Sequence, residues 1–231
     1  KISYVDEVKL FKGNEYTAFG TSIHTVCENL VFGKDVDFEN IFENEIKSLE
    51  IDVDDKLISS MKLSAPNIIK EIMPSLNNQF KEYEVFSVEE ELCVKIDDDK
   101  TEGKNVFKGF IDLVLKIGDD YHIIDWKTCS WGWNAKKRSD PMVVYQLMFY
   151  KHFFAKKHNI DLDKIHVHFA LLKRTAKSNF VEIFKTTSGN RRIANSLNVL
   201  NNAIHNIDNK NYTKNKLSCS RCEYHRTQYC K

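Results

Sequence analysis

Proline and glycine are scarce: three and eight in 231 residues, with no stretch where either clusters. That excludes a collagen-like chain, a low-complexity tract and a long flexible linker. No apolar run approaches the roughly 18 residues that a membrane-spanning helix requires, and the opening Lys1-Ile2-Ser3-Tyr4-Val5-Asp6 does not have the order of a secretory signal. A soluble, intracellular protein is expected. No Gly-x4-Gly-Lys-Ser/Thr loop is present, so no ATPase of this type is carried. No segment repeats. Because residue 1 is Lys and the chain opens in mid-element, a natural N-terminal piece is expected to precede it.

What remains is 42% hydrophobic and 29% charged, the balance of one folded domain with a good core over residues 1–231. The net charge of +1 hides a division. Residues 1–100 carry 11 basic and 22 acidic side chains, a net of −11, whereas residues 101–231 carry 23 and 11, a net of +12. The second half is suited to follow a polyanion.

A turn at Ala18-Phe19-Gly20 is expected to lead into a helix over residues 21–32, because Ile23, Val26, Cys27 and Leu30 recur at helical spacing behind Thr21 and Ser22. Residues 37–82 read as two or three acidic helices, broken near residues 52–55, at Pro66 and at Pro74, and forming a cap. From Tyr83 the pattern becomes strand-like over residues 85–96, 106–117 and 121–128, an antiparallel meander. Asp140-Pro141 supplies an N-cap and a first-turn proline for a helix reaching Phe154. Strands over 165–173 and 180–186, a helix over 191–207 and a cysteine-rich tail follow. This order predicts an α/β fold with a mixed sheet flanked by helices, divided into a helical cap (19–82), a catalytic core (83–187) and a C-terminal helix with its tail (188–231).

Two carboxylates stand out. Asp112 interrupts the apolar Gly109-Phe110-Ile111-Asp112-Leu113-Val114, and Asp125 follows Ile123-Ile124. A carboxylate in such a strand costs several kcal/mol unless compensated, and a divalent cation compensates it. Strand alternation puts Asp125 and Lys127 on one face, and Asp112 can reach that face from the neighbouring strand. Hard oxygen donors of this kind suit Mg²⁺ or Mn²⁺ with substrate phosphate oxygens. Lys127 could position or deprotonate a water, or stabilise charge at phosphorus. The bland alternative is an Asp–Lys ion pair inside a strand and an unrelated Asp112 at a kink.

These residues resemble the PD-(D/E)xK nuclease superfamily, and within it the RecB-like exonuclease branch. The matching motifs are Gly109-Phe110-Ile111-Asp112, Asp125-Trp126-Lys127, Gln146 with Tyr150 on the following helix, and His24 after Gly20 upstream. The resemblance covers roughly residues 19–150 and implies a restriction-endonuclease-like core. By it, Asp112, Asp125, His24 and the Trp126 carbonyl hold the metal, and Lys127 is the catalytic lysine. Gln146 and Tyr150, four apart on one helix face, orient Lys127 or touch DNA, unless Tyr150 is core packing alone. One of Glu89, Glu90 and Glu91 supplies a further family carboxylate, and the sequence does not choose among them.

The tail carries Cys219, Cys222 and Cys230 at C-x2-C-x7-C spacing. It resembles the C-terminal cysteines of AddB and the CRISPR-adaptation nucleases, which implies a [4Fe-4S] cluster whose fourth cysteine has no match before His24. A Cys3His zinc site with His225 is the alternative, and free thiols a third. The implied activity is metal-dependent hydrolysis of DNA leaving a 5′-phosphate, in recombination, repair or phage DNA processing. End dependence is expected from the charge division and from Trp126, Trp131 and Trp133, a stacking surface beside the Asp-x-Lys unless Trp126 is core. DNA is the expected partner, with a helicase or recombination protein beside it, in the cytoplasm or a phage host's cytoplasm. A silent DNA-binding scaffold and an RNA-directed hydrolase are the other readings.

Overall fold

The computed structural model describes residues 2–96, 105–214 and 216–230 and, for Arg221, the backbone alone. Three helices come first: α1 (Glu15–Val31), α2 (Phe38–Lys47) and α3 (Asp55–Phe80). The meander β1 (Glu84–Lys95), β2 (Val106–Ile117) and β3 (Asp120–Cys129) follows, then α4 (Ala135–Ser139) and α5 (Pro141–His158). Strands β4 (Ile165–Lys173) and β5 (Val181–Thr186) and helix α6 (Asn190–Asp208) complete the fold. The five strands lie in chain order, antiparallel throughout except for β3 and β4, which pair in parallel because the crossover through α4 and α5 returns the chain to the same end. This is the α/β fold with a mixed sheet between helical layers that the sequence predicts. Among the described residues no helix is long and apolar enough to cross a membrane.

The two sheet faces are buried differently. Helices α1–α3 pack Ile23, Phe42, Ile68 and Ile72 against Leu113, Leu115, Ile124 and Trp126 on one face. On the other, Leu147, Met148, Phe153 and Phe154 of α5 meet Ile111, Val114, Ile123 and Phe169. The N-terminal helices therefore form a layer that covers one face of the sheet.

Three local expectations change. Helix α1 begins at Glu15, not after Gly20: the Asn14 side chain accepts from Thr17 N while the Thr17 hydroxyl accepts from Asn14 N, a capping box that fixes the earlier start. Gly20 then lies inside the helix beside the end of β3, where a Cβ would come 3.4 Å from Thr128 Oγ1, an ordinary contact. Pro66 and Pro74 do not break α3. Both are exposed, so the carbonyls that they leave without donors face water, while the stripe Met61, Ala65, Ile68, Ile72 and Leu76 is fully buried straight through. Each buried Ile or Leu contributes about 1.5–3 kcal/mol, and the stripe outweighs a cost of about 3 kcal/mol per internal proline.

Candidate active site

The site is built where two strands slip at facing positions. In β2, Leu113 and Leu115 face the α1–α3 layer, but Ile111 faces α5 as Val114 does, so alternation shifts by one residue at Asp112. In β1, Val88 packs with the α1–α3 layer, while Glu90, two residues on, is held by Lys157 and His158 of α5. Between them Glu89 takes a left-handed φ of 48°, and the β1–β2 pairing skips the Glu89–Asp112 position. Irregularities of this kind re-aim side chains and are common beside active sites. The β2–β3 ladder ends at Leu113–Ile124, so the strands part just before Asp112 and Asp125.

Into this fork project the predicted residues. Trp126 N donates to Asp112 Oδ2 at 2.7 Å, fixing Asp112 against β3. Lys127 Nζ lies 2.7 Å from Asp125 Oδ2, as their shared strand face requires. That oxygen is buried and accepts no well-directed hydrogen bond, the ion pair notwithstanding. Burial raises the Asp125 pKa; Lys127 opposes the rise, and Asp112 adds to it. From α1, His24 Nδ1 comes within 3.6 Å of Asp112 Oδ1. Burial opposes charge on His24, but the hydrogen bond and charge of Asp112, with Asp125 behind, outweigh it and raise its pKa.

Of the three candidate glutamates, Glu89 is the one that faces this site. Burial and then Asp112 raise its pKa, as Glu28 also does. Glu90 is occupied by Ser87, Lys157 and His158, and Glu91 pairs with Lys108. Glu28 escaped the sequence reading. It lies one turn after His24 on α1, and burial raises its pKa, with His24 opposing and Asp112 adding. The four-residue spacing from His24 was the available signal.

Helix α5 closes the other side. Gln146 Nε2 donates to Tyr150 Oη at 2.9 Å. Burial, against the Gln146 bond and with Asp125, Asp112 and Glu89 nearby, pushes the Tyr150 phenol up to about 12. Tyr150 is thus both core packing and a neighbour of the carboxylates. Of the three tryptophans, Trp126 is core and Trp133 is buried against Phe169, leaving Trp131, 78% exposed, as the one able to stack on a base.

A divalent cation is implied by the resemblance, and the residues present fit it: a buried carboxylate oxygen met by the Lys127 ammonium alone, a second carboxylate and an imidazole lie at the fork. Among the described residues no three His, Cys, Asp or Glu side chains form a ready-made cage. The tail does not fit its expected cluster. Cys219, Cys222, Cys230 and His225 are not assembled into a ligand set. The physical reason is that the segment is a short 3-10 helix, Lys216–Arg221, followed by turns, and is anchored by Tyr224 instead. Tyr224 Oη donates to Val8 O and lies 2.8 Å from Ser3 Oγ, while Glu223 accepts from Phe11 N, so the tail clasps residues near the start of the chain.

The sequence profile of the PD-(D/E)XK nuclease superfamily matches residues 2–230, and the chain belongs to that superfamily. The crystal structure of a protein from Eubacterium rectale, named "Putative exonuclease", aligns with 97% of this chain and 78% of its own at a TM-score of 0.61 and 12% identity, a likeness of fold. No curated protein matches the sequence.

Proposed function

We propose that the protein is a Mg²⁺- or Mn²⁺-dependent deoxyribonuclease that hydrolyses phosphodiester bonds from DNA ends, its chain acting as one RecB-like unit. The observation that carries this reading is the meeting of Asp112, Asp125 and Lys127 at the strand fork. Asp112, Asp125, His24 and the Trp126 carbonyl would hold the cation, with Glu89 and Glu28 beside them. When bound, the cation supplies positive charge at the scissile phosphate and lowers the pKa of a coordinated water. Lys127 orients the attacking water or stabilises charge on the phosphoryl oxygens, its ammonium held by Asp125. Gln146, tethered by Tyr150, lines the approach of the strand.

End dependence is supported by the charge division. The basic second half offers one path for a polyanion, and the acidic α1–α3 layer repels a duplex from the other side. Digestion of end-labelled linear DNA and closed circular DNA with each metal tests the reading. Linear DNA is expected to be degraded, and circular single-stranded and duplex DNA to survive. Efficient cutting of circles would sink end dependence alone, and no cutting of any DNA with either metal would remove the nuclease reading.

A further inference from the structure

Between α5, α6 and the outer half of β2 lies an apolar pocket of about 470 Å³. The rings of Phe107, Tyr145, Phe149 and Tyr150 line it, and Gln146 and Lys108 supply polar groups. It adjoins the carboxylate site, because Tyr150 and Gln146 line it and the Tyr150 phenol feels Asp125 and Asp112. Gly109 keeps it open: a Cβ there would stand 3.2 Å from Tyr150 Cε1 and 3.3 Å from Phe107 Cε1. At the rim, Met142 is 85% and Val199 51% exposed, apolar surface left facing water. Tyr145 also walls a second cleft, lined by Arg191 and Arg192 at the start of α6. An aromatic pocket thus adjoins a cationic cleft, the complement of a base joined to its phosphate.

We propose that this pocket receives one unpaired nucleobase of the substrate strand, stacked on its aromatic rings next to the scissile phosphate. The proposal rests on the nuclease reading and deepens it to a single-stranded or frayed end as the substrate. A paired base is held in its own stack and cannot enter without leaving it. Stacking on aromatic side chains tolerates any base, as a degradative enzyme requires.

The test uses binding as well as turnover. Single-stranded oligonucleotides carrying 2-aminopurine at successive positions from the end are titrated with the protein in EDTA, where the metal-dependent reaction is off. Stacking quenches this probe, so at one position its fluorescence is expected to fall on binding while the other positions change little. Ala203→Leu, placed on the exposed side of α6 where it fills the pocket without adding a ring, should abolish that quench. Val199→Asp, also exposed, provides a second variant that leaves the core untouched. No quench at any position, or equal quench in the wild type and both variants, would overturn the pocket. Cleavage with Mg²⁺ is read separately: cutting without quench keeps the nuclease and loses the pocket, and quench without cutting keeps the pocket and loses the catalytic reading.

Discussion

Asp112→Asn and Asp125→Asn each remove one negative charge from the fork and keep the side-chain shape. Cleavage of linear DNA is expected to fall by more than about 100-fold in either, since even changes one shell further from a metal cost 10–100-fold. DNA binding should stay within a few-fold, because phosphate affinity comes from the basic side chains. Steady-state rates with a filter-binding assay check both, and near-normal rates in both variants would dismiss the assignment. His24→Ala should raise the Mn²⁺ requirement roughly tenfold, and more than the Mg²⁺ requirement, because imidazole suits Mn²⁺ better. These residues were legible because a lone carboxylate in an apolar strand is costly enough to need a reason. Glu28 was not, since a glutamate on a helix reads as ordinary surface until α1 is laid across the fork. Glu89 could not be separated from Glu90 and Glu91 because simple alternation groups it with Glu91. The slip at Asp112, a property of two strands together, is what sets it apart.

Among the elements, the pairing of β3 with β4 carries a pH dependence. His122 Nδ1 lies 3.0 Å from His168 Nε2, and Phe80 at the end of α3 packs its ring edge-on to both. Burial first, then the charges of His166 and Lys185, with Asp120 opposing, lower the His122 pKa to about 4. Burial, then His122, Lys185 and His166, lower that of His168 to about 3. An unfolded histidine takes up its proton near pH 6.5, so the unfolded chain binds protons that the folded chain refuses. The stability due to this pair is therefore fully present above about pH 6.5 and is lost as pH falls toward 4. Urea midpoints are expected to drop over that window, and to drop less in His168→Met. An equal drop in both proteins would free the pair of this role. Periodicity revealed β3, β4 and their helices, but two element boundaries depended on contacts that it does not encode. The start of α1 is fixed by Asn14 and Thr17, and the continuity of α3 through two prolines by a buried stripe on its far side.

Over the whole molecule the division of charge is the feature most directly readable from the chain, and its energetic sign is testable. Affinity for single-stranded DNA should fall with salt, and Lys136→Ala and Arg191→Ala should each reduce the slope of log affinity against log salt by about 1. Fluorescence anisotropy between about 50 and 200 mM salt measures it; unchanged slopes would take these side chains off the DNA path. The tail shows the limit of spacing as a guide, for its cysteines drew attention while Tyr224 makes the attachment. The layered order of the fold also sets a timetable. Glu71 of α3 accepts hydrogen bonds from Phe180 N and Val181 N, partners 109 and 110 residues later in the chain. A ribosome therefore releases α1–α3 well before the last strand that they cover exists. At about 5–20 residues per second that interval is about 5–20 s. The apolar stripe of α3 gains β2 and β3 to lie on first, but the edge that β5 completes stays uncovered until Val181 emerges, so the newborn chain carries exposed apolar surface for the whole of that interval.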